Sequence, residues 1–258
     1  MQMTGNTILV TGGGSGIGRA VAEAFHALGN HVVIGGRRQA LLDEVAAANP
    51  GMSALPLDVG DAPSIAAFAE QVTRAHPDLD AVIHMAGIMR NENLRSGALD
   101  VAEDTVATNL LGPIRLTAAL MPHLLARPRA TIMTVSSGLA FVPLALTPAY
   151  SATKAAIHSW SQSLRYQLKD TAVQVIELAP PYVQTHLMGE RQASDPFAMP
   201  LADFVAEVME LLARTPDAAE LLVERVLPQR RAEASGGYDA FFTAMNDRFT
   251  AARADEMP

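Results

Sequence analysis

The segment Tyr150-Ser151-Ala152-Thr153-Lys154 sets a phenol four residues before an ammonium group. On a helix that spacing puts both side chains on one face. Coincidence is a poor explanation, because the chain has only four tyrosines and two lysines. A neighbouring cation favours phenolate. The pair therefore reads as an acid or base working near neutral pH, far from the pKa of about 10 of a free phenol. Ser137 stands 13 residues before Tyr150, and its hydroxyl could donate to a substrate carbonyl and steady a developing alkoxide. Asn109 lies in Thr108-Asn109-Leu110-Leu111-Gly112-Pro113, where the proline must disturb a helix and free carbonyls upstream. Such a turn could hold an ordered water for a proton relay. Taken singly, Ser137 and Asn109 also fit as local caps and Lys154 as a surface charge; their joint occurrence with a glycine turn favours chemistry.

That turn is Thr11-Gly12-Gly13-Gly14-Ser15-Gly16-Ile17-Gly18, directly after a first strand and opening a first helix. A phosphate there needs close backbone approach, free N–H groups and a positive helix end. Gly12, Gly14, Ser15, Gly16, Ile17 and Gly18 are accordingly the candidate dinucleotide contacts. The second strand ends not in a carboxylate but in Gly36, followed by Arg37 and Arg38. A carboxylate would bind a ribose 2′-hydroxyl, whereas guanidinium groups clamp a 2′-phosphate. NADP(H) is therefore expected over NAD(H), with Arg37 as the main contact and Arg38 beside it; a solvated arginine pair starting a helix is the plainer alternative. Asp58-Val59 follows the third strand and could hold the adenine amino group, or Asp58 could be a helix cap.

Positioning these groups requires alternating elements. Apolar runs at 7–10, 31–34, 53–57, 81–84, 131–135, 174–178 and, more weakly, 221–223 read as seven strands. Amphipathic runs at 16–28, 41–48, 64–75, 101–125 and 151–168 read as helices between them. Continuously apolar strands alternating with helices imply an α/β fold: a single-domain doubly wound parallel sheet, Rossmann-like, with helices on both faces and ligands at the carboxyl ends of the strands. The whole span 1–258 reads as one domain, with a substrate loop or lid near 185–205 and a helical tail at 236–258. In that tail Tyr238, Phe241, Phe242, Met245 and Phe249 lie near helical spacing, as expected of a helix packing on the domain or on a partner subunit.

Composition narrows the function. With 258 residues, 49% hydrophobic and a net charge of −8, the chain is long and apolar enough for a large core and is not of disordered type. Zero cysteines exclude disulfides, zinc–thiolate sites, iron–sulfur clusters and a cysteine nucleophile, and no metal site is expected. An acidic balance without basic runs argues against nucleic acid as partner. From Ala130 to Thr153 there is no charged residue. A run of that length could span a bilayer, but Ser136, Ser137, Pro143 and Pro148 within it favour a buried strand and an apolar loop. The start, Met1-Gln2-Met3-Thr4-Gly5, has no basic region and no long apolar stretch, so a cytoplasmic protein without membrane association is expected.

Over essentially its whole length the chain resembles the short-chain dehydrogenase/reductase family. The resemblance rests on T-G-x-x-x-G-I-G at 11–18, Asp58-Val59, Ala86-Gly87, Asn109, Ser137, Y-x-x-x-K at 150–154 and P-x-x-V-x-T at 180–185. It implies hydride transfer to a carbonyl or the reverse, and an Asn–Ser–Tyr–Lys tetrad. By that resemblance Tyr150 is the general acid, and Lys154 lowers its pKa and binds the nicotinamide ribose. Ser137 orients the carbonyl, and Asn109 anchors a relay water. Ala86, Gly87 and Pro180 border the cofactor, while Val183 and Thr185 bind the nicotinamide carboxamide. The helices at 101–125 and 151–168 would form the face of a homodimer or homotetramer. Two departures stand out: His84-Met85 replaces the family's Asn-Asn, and Pro180-Pro181 replaces its Pro-Gly. His84 can still hydrogen-bond between strands, Met85 cannot donate, and Pro181 stiffens the loop.

The substrate pocket is expected among Leu139, Phe141, Leu144 and their neighbours, facing Met89, Tyr182 and Met188. These walls are apolar, so the expected substrate is a small ketone or aldehyde, reduced with NADPH. Oxidation of a steroid-like, terpenoid or hydroxy-acid alcohol, and a non-catalytic NADP-binding regulator, are the alternatives. Arg90, Arg95 and Arg191 could reach a carboxylate, which leaves keto acids open.

Overall fold

Alternation of side chains along each strand explains the architecture. In β1 (Thr7–Thr11) Ile8 and Val10 point to one face and Leu9 to the other, and all three are fully buried. In the computed structural model, which describes residues 1–252, the strands are β1, β2 (His31–Gly36), β3 (Ser53–Pro56), β4 (Leu79–His84), β5 (Ala130–Val135), β6 (Val173–Leu178) and β7 (Glu220–Leu221). They form one sheet in the order β3-β2-β1-β4-β5-β6-β7, and every pairing is parallel. The chain reverses its direction of travel between β1 and β4, which opens a crevice at their carboxyl ends.

Both faces are covered. Helices α1 (Gly16–Ala27), α2 (Gln39–Ala48) and α8 (Leu201–Arg214) pack on one side, joining Phe25, Leu42 and Phe204 to Ile8, Val10 and Ile34. On the other side α3 (Ala62–Ala75) and α5 (Gly112–Leu125) bring Phe68, Val72, Leu116 and Leu120 against Leu9, Val33 and Val82. Helix α6 (Pro148–Gln167) lies across β5 and β6. The short α7 (Glu190–Ser194) and α9 (Leu227–Arg231), with the tail helix α10 (Tyr238–Ala252), gather around the carboxyl ends of the strands. The end of the expected tail, 253–258, lies outside the described residues. Among the described residues no helix is long and apolar enough to cross a membrane.

Four differences from the sequence reading have physical causes. The single helix expected at 101–125 is α4 (Asp100–Val106), a π-helical turn (Ala107–Leu111) and α5. Pro113 cannot donate to the preceding turn, and the hydrogen-bond register shifts there. Helix α6 begins three residues before the expected 151, because Pro148 has the dihedral of a first helical position. Tyr150 thereby falls in the first turn. Helix α8 stands where the sequence suggests the end of a substrate loop; its Phe204, Val208 and Leu212 are fully buried. Strand β7 is only two residues long.

Phe204→Ala should destabilise the protein by about 3–5 kcal/mol, because it empties a filled site between α8 and the sheet. Urea unfolding would check this; a loss within about 0.5 kcal/mol of wild type would mean that α8 does not belong to the core.

Candidate active site

The glycine turn after β1 is shaped by close approach. Gly12 has φ +71 and its N–H donates to the Gly35 carbonyl at 2.7 Å. A Cβ on Gly12 would come within 2.9 Å of the Ala86 backbone, and one on Gly18 within 2.4 Å of the Gly12 carbonyl oxygen. The turn is therefore pressed against β2, the β4 loop and its own helix. Ser15 makes no side-chain cap on α1, which leaves the first-turn N–H groups facing the cleft. Its hydroxyl instead accepts from Arg38 Nη2 at 2.7 Å. Arg37 stands beside it, and no carboxylate is present at the end of β2.

The groups expected to do chemistry converge on the same cleft, which has a volume of about 750 Å³. Ser137, extended at the end of β5, caps a 3-10 turn by accepting from Leu139 N–H at 3.1 Å. Tyr150 comes down from the first turn of α6 and hydrogen-bonds to Ser137. Lys154 Nζ lies 5.5 Å from the Tyr150 ring centroid and donates to the Val135 carbonyl at 2.8 Å. Asn109 sits behind Gly87. Its carboxamide accepts from Ile88 N–H at 2.9 Å and donates to Ile88 carbonyl at 2.8 Å. Those two bonds hold the loop after β4.

Burial sets the protonation states. The Tyr150 phenol is pushed up to about 12, with the Ser137 hydrogen bond opposing. Lys154 is pushed down to about 8 by burial, with Glu177 opposing. Burial therefore acts on the phenol opposite to the direction expected from its lysine and a bound nicotinamide. His84 donates or accepts at 2.8 Å with Thr117 Oγ1, and burial lowers its pKa to about 4. It therefore ties β4 to α5 as a neutral ring.

Other predicted residues divide into those facing the cleft and those turned away. Gly12, Gly14, Ser15, Gly16, Ile17, Gly18, Arg37 and Arg38 face it, as do Val59, Ala86, Gly87, Pro180, Val183 and Thr185. Asp58 does not: its carboxylate accepts from Gly60 N–H at 2.9 Å in a tight turn. That turn contact uses one carboxylate oxygen. Among pocket residues Leu139, Leu144, Tyr182 and Met188 line the cleft. Phe141 is corrected, because its ring packs edge-on against His158 at 5.0 Å and under Arg230 at 5.0 Å. Of the arginines considered for carboxylate binding, Arg90 reaches the cleft, and Asp104 pairs with it at 2.9 Å.

Two features escaped the sequence reading. Gln192, in α7, donates to the Val183 carbonyl at 2.8 Å and to Thr185 Oγ1 at 3.2 Å, and accepts from Met188 N–H at 3.0 Å. It holds the loop that carries the nicotinamide-side residues. The tail helix forms the far wall with Phe241, Met245 and Phe249, beside Gln229 of α9. Asn246 clamps it, accepting from Ala145 N–H at 2.6 Å and donating to the Pro143 carbonyl at 3.1 Å. The helical spacing of the tail aromatics was visible, but its docking site was not.

The residues present thus fit a dinucleotide: a close-approach turn, an open helix start and two guanidinium groups. Comparisons with known proteins agree. Residues 6–196 match the family model described as short chain dehydrogenase. The uncharacterized oxidoreductase DltE of Bacillus subtilis (strain 168) is 44% identical over 189 residues, spanning 72% of this chain and 75% of that protein. A short-chain dehydrogenase structure from Streptomyces avermitilis superposes with TM-score 0.77 at 26% identity, covering 98% of this chain and 96% of that one. A short chain dehydrogenase from Burkholderia cenocepacia J2315 in complex with NADP has the same fold, with TM-score 0.78 at 24% identity and coverage of 96% and 98%.

The buried lysine has a stability consequence. Its folded pKa of about 8 lies below the ordinary 10.5, so between these values the unfolded chain binds more protons and wild-type stability rises with pH. The stability of wild type relative to Lys154→Met should therefore rise by about 1–3 kcal/mol between pH 8 and pH 10. Denaturant unfolding across that range checks it; a pH-independent difference would contradict the assigned burial cost.

Proposed function

The chain belongs to the short-chain dehydrogenase family of oxidoreductases, and on that premise we propose that it is an NADP(H)-dependent reductase of small, mainly apolar ketones or aldehydes. The observation that carries this reading is the convergence of Ser137, Tyr150 and Lys154 on one cleft with the glycine turn. When bound, the reduced nicotinamide supplies the hydride. Ser137 donates a hydrogen bond to the substrate carbonyl and fixes its orientation. Tyr150 delivers the proton to the carbonyl oxygen. Burial holds the phenol protonated at neutral pH, the form needed to act as an acid in reduction. Lys154, close under the phenol ring, stabilises the phenolate left after proton transfer, more strongly because little water screens it. Leu139, Leu144, Phe241, Met245 and Phe249 form apolar walls that exclude water and favour a substrate with few charges.

The preference for NADP(H) is supported by Arg37 and Arg38 where a carboxylate would repel a 2′-phosphate, and by NADP in the Burkholderia structural neighbour. Arg38 is already held by Ser15 at the phosphate turn, which leaves Arg37 free to be the main clamp. We further take the chain to act in the cytoplasm as a homodimer or homotetramer through the helices at 100–125 and 148–167, where Val106 and Tyr166 are exposed.

Tyr150→Phe should lower NADPH consumption at least about 100-fold, the scale of a lost general acid, while NADPH binding followed by fluorescence stays unchanged. Full activity in this variant would sink the mechanism. Separately, KM should be lower for NADPH than for NADH. Arg37→Ala should raise KM for NADPH by roughly 10-fold or more, with little effect on NADH, because a charge-assisted contact is lost. A wild-type preference for NADH would overturn the cofactor assignment.

A further inference from the structure

Most polar side chains on the substrate side of the cleft already have partners. Gln192 is bound to Val183, Thr185 and Met188. The Tyr182 hydroxyl donates to Asp195 at 3.1 Å, and Arg90 pairs with Asp104 at 2.9 Å. Gln229 of α9 stands apart. It lines the cleft together with Ser137, Leu139 and Met245, and its Nε2 meets only Met245 Sδ, at 3.8 Å. A thioether is a weak acceptor. The carboxamide oxygen of Gln229 has no hydrogen-bond partner among the described residues.

Its place is nonetheless fixed. Arg230, the next residue, holds Glu220 of β7 bidentately at 2.8 and 3.1 Å and so anchors α9 to the sheet. The carboxamide rests on Gly138: a Cβ there would stand 2.7 Å from Gln229 Cδ, too close to be accommodated without movement. Gly138 directly follows Ser137, and consecutive Cα atoms lie about 3.8 Å apart. The carboxamide is thus a neighbour of the hydroxyl assigned to the substrate carbonyl. The walls around both, Leu139, Leu144 and Met245, are apolar. A polar substrate group entering there would lose its water, and it is tolerated only where the protein supplies a hydrogen bond.

We propose that Gln229 is a specificity-determining residue, and that the substrate is a hydroxy ketone or hydroxy aldehyde whose hydroxyl lies close to the carbonyl that is reduced. A hydroxyl matches both ends of the carboxamide, because it can donate to the oxygen and accept from the nitrogen. Turning away from Met245 costs little, since the contact given up is weak. Gln229 takes no part in proton or hydride transfer. It discriminates between carbonyl compounds by what stands beside the reacting group. The inference rests on the reductase reading and narrows its substrate class.

Two probe ketones share one skeleton: propiophenone has a methyl group where 2-hydroxyacetophenone has a hydroxyl, on the carbon next to the carbonyl. With NADPH, the wild-type chain should show the higher kcat/KM for 2-hydroxyacetophenone. In Gln229→Leu the ratio of the two kcat/KM values should fall about 10-fold, with the loss on the hydroxy ketone. Gly138→Ala, whose methyl group displaces the carboxamide, should lower the same ratio and add little to Gln229→Leu. An unchanged ratio in Gln229→Leu would overturn the proposal. A readout without turnover comes from the nitrogen-15 signal of the Gln229 side-chain amide, identified by its loss in Gln229→Leu. With NADP+ present, that signal should shift more on adding 2-hydroxyacetophenone than on adding propiophenone. If it does so while neither ketone is reduced with NADPH, the reductase reading fails and the Gln229 contact stands. Equal shifts, or none, would overturn the proposal.

Discussion

Lys154 is one ammonium group placed where water hardly reaches, and much of the active region is arranged around that fact. Its proton is held by the Val135 carbonyl, which is available because β5 stops there and its backbone turns away at Ser136. The same turn presents Ser137 to the cleft. Pro148 starts α6 early enough for Tyr150 to stand in its first turn. Thus one buried charge links the end of a central strand, the start of a long helix and the two hydroxyl groups of the site. The stretch from Ala130 to Thr153 is free of charged residues because it supplies the strand, the loop and the helix start that enclose this ion.

The opposite half of the cleft depends on close packing rather than charge. Gly12, Gly18 and Gly87 stand where a side chain would meet backbone or Asn109. Each lets two segments approach: turn with loop, turn with helix, and loop with the π-helical turn. Asn109 then spends its carboxamide on both backbone groups of Ile88. The helix irregularity at Ala107–Leu111 therefore fixes the loop bordering the cofactor side of the cleft, and Pro113 is its cause. On the far side Gln192 plays the same part for the loop carrying Val183 and Thr185.

Most of the sheet was legible in the sequence, because strands buried on both faces read as short continuous apolar runs. Helix α8 was not, although Phe204, Val208 and Leu212 carry the required spacing. Its neighbouring loop resembled a lid, and only packing against the sheet shows that this face is core. At the site, spacing alone brought Tyr150 and Lys154 to one helix face and the glycine turn to a helix start. It could not reveal that Phe141 turns away to Arg230 while Leu139 faces the cleft, since neighbouring side chains in a tight turn diverge according to what is packed beneath. Nor could it reveal Asn246, whose role depends on carbonyl and N–H groups a hundred residues earlier in the chain.

The sequence by itself determined the class of fold, the dinucleotide turn and the identity of the acid–base pair, because each follows from local periodicity or short spacing. Tertiary structure decided how burial acts on that pair. The chain predicts a phenol lowered by its lysine, whereas burial raises Tyr150 and lowers Lys154. Desolvation depends on everything that surrounds a group, and here the surroundings come from β5, β6 and α6 together. It also decided which apolar residues form the substrate wall, since α10 reaches the cleft only after the sheet has brought the two ends of the chain's second half together.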